Sequence, residues 1–136
     1  MPEVVKTAGE MIAGMTPRLT QGNFVFITAT DPAHIEELSP QAISTFKEDE
    51  GMSLIVPVEM AEAAGLDAAH SMRCITLNVY SSLEGVGLTA AVSTALGEAG
   101  IPCNMVAAYH HDHVFVPTDK AAKAMDILDR LQSRAN

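Results

Sequence analysis

Two periods of apolar residues alternate along this 136-residue chain, and each change of period marks a new element. Near the start, Val4, Val5, Ala8, Met11, Ile12 and Met15 recur close to helical spacing and predict a helix over 4–15. Pro17 and Gly22 bracket a loop, after which Phe24-Val25-Phe26-Ile27-Thr28, β-branched and aromatic, predicts a strand. Ser39-Pro40 has the form of a helix cap with proline at the first helical position, predicting a helix over 40–49 that Gly51 ends. Met52 to Val58 predicts a short apolar strand closed by Pro57, and a weak helix over 59–64 stops at Gly65. In 73–80 the period is two, with Cys74, Ile75, Leu77 and Val79 apolar. A helix over 88–99 ended by Gly100, a strand over 101–109 and a turn of histidines at 110–113 come next. Val114-Phe115-Val116 then returns as a strand, and an amphipathic helix over 119–132 closes the chain. The second half is therefore strand, helix, strand, strand, helix.

That order predicts 73–80, 101–109 and 113–117 in one antiparallel sheet, with helices 88–99 and 119–132 on one face. Alternation places Leu77 and Val79 under the helices and Asn78 and Tyr80 away from them. A faint internal repeat adds to this picture. Sliding the chain by about 81 positions sets Met15 on Leu96, Asn23 on Asn104, Val25 on Val106 and Asp31 on Asp112. On that repeat each half lacks one strand, and two incomplete halves would be completed by each other. The apolar run Met52-Ser53-Leu54-Ile55-Val56 is then expected to be buried.

Composition narrows the class. At 48% hydrophobic and 18% charged residues, the chain has the balance of a globular protein rather than a disordered one. No apolar run approaches the ~20 residues of a membrane helix. The start, MPEVVKTAGEMIAGM, lacks a basic segment followed by an apolar core, so no signal peptide and a cytoplasmic location are expected. A net charge of −9, with only eight Lys and Arg, argues against nucleic acid as partner, and no membrane partner is expected. Cys74 and Cys103 lie in strand-like runs without CxxC or zinc spacing, and read as buried free thiols.

Catalytic chemistry finds little support. Ser81-Ser82 has no GxSxG elbow, and Cys103 in an apolar run is a poor thiolate. Phe46-Lys47-Glu48-Asp49-Glu50 reads as a solvated helix end rather than an acid–base pair, and Met11, Met15, Met52, Met60 and Met125 as core. His110-His111-Asp112-His113 contains good zinc or nickel ligands. On a strand, however, only His111 and His113 share a face, and Asp112 suits a tight turn. A structural hairpin turn is the reading adopted, with no metal or other cofactor expected.

The run from Thr76 to Asn104, with Gly87-Leu88 at a helix entry and Leu96-Gly97-Glu98-Ala99-Gly100-Ile101 at its exit, resembles an ACT domain. More narrowly, SSLEGVGLTAAVSTAL, GIPCNMVAAYHHDHVFVP and FKEDEGMSLIVP resemble small bacterial tandem ACT-like proteins once catalogued as a domain of unknown function. These are related to aspartokinase regulatory domains and cytosolic arginine sensors. The resemblance spans nearly the whole chain and is densest over 73–117. It implies an α+β, ferredoxin-like ACT fold (βαββαβ), with half-modules at 1–66 and 67–136 whose antiparallel sheets carry helices on one face. It implies a non-catalytic regulatory module that binds a small metabolite at a module or subunit interface. A homodimer or a regulatory protein partner is implied with it. The Asp/Asn-x-Pro-Gly turn of many ACT domains is replaced here by Glu84-Gly85-Val86-Gly87.

With that turn in view, the loop acquires a physical reading. Ser81 and Ser82 offer hydroxyls and Glu84 a carboxylate, while Gly85 and Gly87 permit positive φ and close backbone approach. A helix opening near Leu88 leaves the amides of Val86, Gly87 and Leu88 for a carboxylate, and Glu84 or Asn104 for an ammonium group. The ligand expected is an amino acid. Three alternatives stand beside it: a plain strand-to-helix turn, a metal protein or small enzyme using the 110–113 turn, and an interaction module without a small ligand.

Overall fold

In the computed structural model, which describes residues 8–78 and 87–135, the elements run α1 (Ala8–Gly14), β1 (Thr16–Leu19), β2 (Phe24–Ala29) and α2 (Pro32–Leu38). They continue as β3 (Ser44–Glu48), β4 (Gly51–Pro57), α3 (Val58–Ala63), β5 (Met72–Asn78), α4 (Leu88–Glu98), β6 (Asn104–Ala107), β7 (Asp112–Pro117) and α5 (Ala121–Ala135). Contacts group them into two units. Gly22–Met72 forms an inserted unit, and the described residues up to Gln21 join those from Arg73 onward in a terminal unit.

In the inserted unit β4 is the central strand. It pairs antiparallel with β2, from Phe24 opposite Pro57 to Ala29 opposite Met52, and with β3, from Ser44 opposite Ile55 to Glu48 opposite Gly51. Period two then turns Val25 and Ala29 of β2 and Leu54 and Val56 of β4 to one face, where they bury against Leu38 at the end of α2 and Ala61 of α3. Leu54, Ile55 and Val56 are buried while Met52 and Ser53 are half-buried. Gly51 sets how closely the β3–β4 hairpin meets β2. A Cβ there would lie 3.0 Å from both Thr28 Oγ1 and Thr30 Cγ2.

Here the structure corrects the helix expected over 40–49. Ser39-Pro40 opens only a single 3-10 turn, Ser39–Gln41, and Ser44–Glu48 is a strand. Thr45 and Phe46 gain a ladder to β4, and that long-range pairing outweighs the local helix signal. The helix of this region lies earlier, at α2. Asp31 caps it, its Oδ1 accepting from the Ala33 amide at 2.9 Å, and Pro32 occupies the first turn.

The terminal unit follows the expected strand, helix, strand, strand, helix. β5 is followed in the sheet by β7 and β7 by β6, and β6 pairs antiparallel with β7 from Asn104 opposite Phe115 to Ala107 opposite Asp112. Ile75 and Leu77 of β5, with Val114 and Val116 of β7, pack beneath Leu88, Val92 and Leu96 of α4 and Leu128 of α5. Burying each such side chain stabilises the fold by about 1.5–3 kcal/mol. Val79 and Tyr80, the rest of the expected strand, lie outside the described residues, as do residues 4–7 of the expected first helix. The described part, α1, packs on α4 and α5, and Gln132 Nε2 donates to the Ala13 carbonyl at 3.0 Å.

One strand of this unit was expected to be loop. Thr16-Pro17-Arg18-Leu19 forms β1, antiparallel to β5 from Thr16 opposite Asn78 to Leu19 opposite Ile75. Pro17 misleads because it lacks an amide donor. A strand with one partner tolerates that loss. The 81-position slide matches α1 to α4 and β2 to β6, and then fails, because it sets the strand β7 on the helix α2. Among the described residues no helix is long and apolar enough to cross a membrane.

Candidate functional site

Each unit contains a strand–loop–helix turn, and the two helices begin differently. In the inserted unit, β2 leads through Thr30 and Asp31 into α2, whose first turn is closed by the Asp31 carboxylate. In the terminal unit, β5 leads into α4, whose N-cap is Gly87 at φ 108° and ψ −23°, a left-handed conformation that suits glycine. Among the described residues no side chain caps this end, and the Gly87 carbonyl accepts from the Ala91 amide at 2.9 Å. A helix start leaves its first amides without intrahelical partners, at the positive end of the helix dipole. Leu88 is 3% exposed and fixed in the core, so only its backbone is free to serve a ligand.

The structure brings Gly87 and Leu88 together in this way. Ser81, Ser82, Glu84, Gly85 and Val86 lie outside the described residues. Asn104 does not join them. The 11-residue α4 carries the chain back along the sheet, so β6 starts at the end opposite the loop. Thr76 Oγ1 lies 3.0 Å from His113 Nδ1, and Asn104 opposes Phe115, which sets Asn104 level with Cys74. That is four residues, or roughly 13 Å, back from Asn78 and two strands across. Its Nδ2 donates to the Phe115 carbonyl at 3.3 Å.

The histidine run closes the β6–β7 hairpin. The Ala108 amide donates to the His111 carbonyl at 3.0 Å, and the rings of Tyr109 and His110 meet edge to face at 5.1 Å. Asp112 and His113 already belong to β7. Among the described residues no group of three or more His, Cys, Asp or Glu is placed to hold a metal ion. Burial holds the His113 imidazole below its ordinary value, with His111 adding to the effect and Asp112 opposing it. Burial pushes the Asp112 carboxyl up, against His113 and His111.

The sign of the His113 effect is testable. Its folded pKa lies below the unfolded one, so its stabilisation is full above about 6.5 and is lost as pH falls through that value to the folded pKa. Asp112 acts oppositely, with stability present below its unfolded pKa and lost as pH rises through the folded one. Melting temperature should therefore fall between about pH 7 and 5, and His113→Gln should flatten that fall. An unchanged slope in the variant would rule out His113 as its source.

Two other candidates have structural roles. Cys74 is buried and Cys103 half-buried, both free, and burial raises both thiols. Thiols held protonated are weak nucleophiles. Cys103 precedes β6 instead of lying within it. The inserted unit also holds a cleft of about 410 Å³ that sequence reasoning missed, between the β2–α2 turn and the β3–β4 hairpin, lined by Ala29, Thr30, Ile35 and residues 47–52. The signal was Asp31-Pro32, a cap followed by a first-turn proline.

Family models of the ACT domain match residues 5–73 and, separately, 70–130. A crystal structure of a protein of unknown function from Vibrio cholerae, described as a possible transport protein, is 40% identical with a TM-score of 0.81, over 91% of this chain and 94% of that one. The ligand-free regulatory subunit of aspartate kinase from Thermus thermophilus matches with a TM-score of 0.60 at 10% identity, over 85% and 95%. A protein from Agrobacterium tumefaciens matches at 0.63 and 15% identity, over 87% and 89%. The last two likenesses are of fold. No curated protein matches the sequence.

Proposed function

Because the chain belongs to the ACT-domain family and carries two such domains in tandem, we propose that it is a non-catalytic sensor that binds an amino acid on the loop entering α4. Family membership supports a regulatory, ligand-binding module in general. The observation that carries the finer reading is the contrast between the two helix starts: the Asp31 side chain caps its own helix, whereas the N-cap of α4 is Gly87, which has no side chain to cap with. In this reading Val86, Gly87 and Leu88 receive the carboxylate, because a helix start supplies unpaired donors and a positive dipole end. Ser81, Ser82 and Gly85 shape the loop, and Glu84 holds the ammonium group. A second copy of the chain, or a regulatory partner, covers the site and reads its occupancy.

A thermal-shift screen of the twenty amino acids tests this, with common divalent metals as a separate arm. A ligand at 100 times its dissociation constant adds about 2.7 kcal/mol of stability. An amino acid that raises the melting temperature is the expected result. A response to metals alone would move the function to the 110–113 turn, and silence in both arms would leave an interaction module.

A further inference from the structure

The sheet of the terminal unit packs Ile75 and Leu77 under the helices on one face. Its other face carries the alternate residues. Arg18 of β1 opposes Thr76 of β5, and the Thr76 hydroxyl lies 3.0 Å from His113 Nδ1 of β7. Three neighbouring strands thus set Arg18, Thr76 and His113 in one row on one face. Asn78, two residues along β5, stands on the same face opposite Thr16. β1, β5, β6 and β7 contain one carboxylate between them, Asp112, and alternation turns it to the face opposite His113. In a chain of net charge −9, these strands give this face a cation and no anion. Arg18 is exposed and forms no ion pair among the described residues.

These donors suit one kind of ligand. Burial raises the thiol of Cys74, the next residue of β5 on this face, and the Arg18 charge is among the effects that oppose it. The guanidinium therefore sits close enough to β5 for its field to be felt there. A hydroxyl donating to Nδ1 leaves the proton of a neutral ring on Nε2, and burial keeps the His113 ring neutral at pH 7. Arg18 supplies one positive charge and a forked pair of donors, His113 a neutral N–H and Asn78 an amide. Arg18 and His113 stand one strand to either side of Thr76, about 9–10 Å apart at the backbone, which leaves room for one planar oxyanion between their side chains. One cation matches a monoanion better than a dianionic phosphate. An ammonium group would find no carboxylate partner on these strands. The geometry points to a carboxylate-binding site between Arg18 and His113, over Thr76, for an organic acid without an α-ammonium group. α4 packs on the opposite face, so this site is separate from the loop entering α4 and stands without the amino-acid reading.

NMR of the whole chain, titrated with propionate in exchange for chloride at constant ionic strength, tests this. The Arg18 guanidinium and His113 ring signals should shift and saturate. Arg18→Gln should weaken that binding about 10-fold or more, because the charge and its forked bonds are lost. Its fold should persist, since the side chain is exposed. Alanine, the same acid with an ammonium group added, should bind at these signals about 10-fold more weakly than propionate. N-acetylalanine separates two sources of the carboxylate: tighter binding than propionate identifies a peptide terminus, and weaker binding a small free acid. No saturable shift at Arg18 and His113, undiminished binding in Arg18→Gln, or tighter binding of phosphate overturns the carboxylate site. An amino-acid response in the thermal screen that survives Arg18→Gln leaves the α4 reading standing in each of those cases.

Discussion

Replacing Leu128 by alanine is expected to lower the melting temperature by roughly 10 °C, while Asp126→Ala on the same helix moves it by a degree or two. Leu128 is fully buried, and α5 packs on α1, α4, β1 and β7. Truncation removes three carbons from a site enclosed by several elements, which cannot all close in, so about 3 kcal/mol should be lost. Asp126 pairs with Arg130 at 2.7 Å, yet the two side chains are 57% and 65% exposed. An exposed pair of this spacing contributes about 0.3–0.5 kcal/mol. Thermal melts of both variants check the ranking. Equal shifts would mean that the terminal unit is not held by this core.

The second large effect is on binding. Gly87→Val should weaken amino-acid affinity roughly 10- to 100-fold, because each lost charge-assisted hydrogen bond costs about 1.5–3 kcal/mol. Valine resists a φ of 108°, so the turn must move and carry its amides away from the ligand. Since this change also strains the fold, Glu84→Gln is its complement, removing the charge while keeping the shape. It should weaken binding by a similar factor without shifting the melt of the free protein. If calorimetry finds both variants binding as tightly as the parent, the loop is only a turn.

Much of the terminal unit was legible because period and punctuation agreed. Ile75 and Leu77 recur at period two with Thr76 between them, Gly87 and Gly100 bracket α4, and the result is the sheet and helices expected. The inserted unit was harder. Ser39-Pro40 and Asp31-Pro32 carry the same kind of start signal, and only a distant strand decides between them: β4 claims Ser44–Glu48, so the helix must come earlier. β1 was hidden by Pro17, which reads as a breaker until its pairing with β5 is known. The 81-position slide failed because β2 precedes β5 by 48 positions and β4 precedes β7 by 61, so no constant offset aligns the units. Of the site, Gly87 and its helix entry were visible as a glycine before an apolar helix. The separation of Asn104 was not, because it depends on strand order and on the direction of β6.

The central claim is that the open amides at the start of α4 receive an amino acid's carboxylate. Amide-resolved NMR during titration with the amino acid found in the thermal screen tests it most directly. The account predicts that the largest shifts fall on the amides of Val86, Gly87 and Leu88, with Asn104 and the 108–111 hairpin changing little. Shifts centred instead on that hairpin, or on the cleft between the β2–α2 turn and the β3–β4 hairpin, would contradict it.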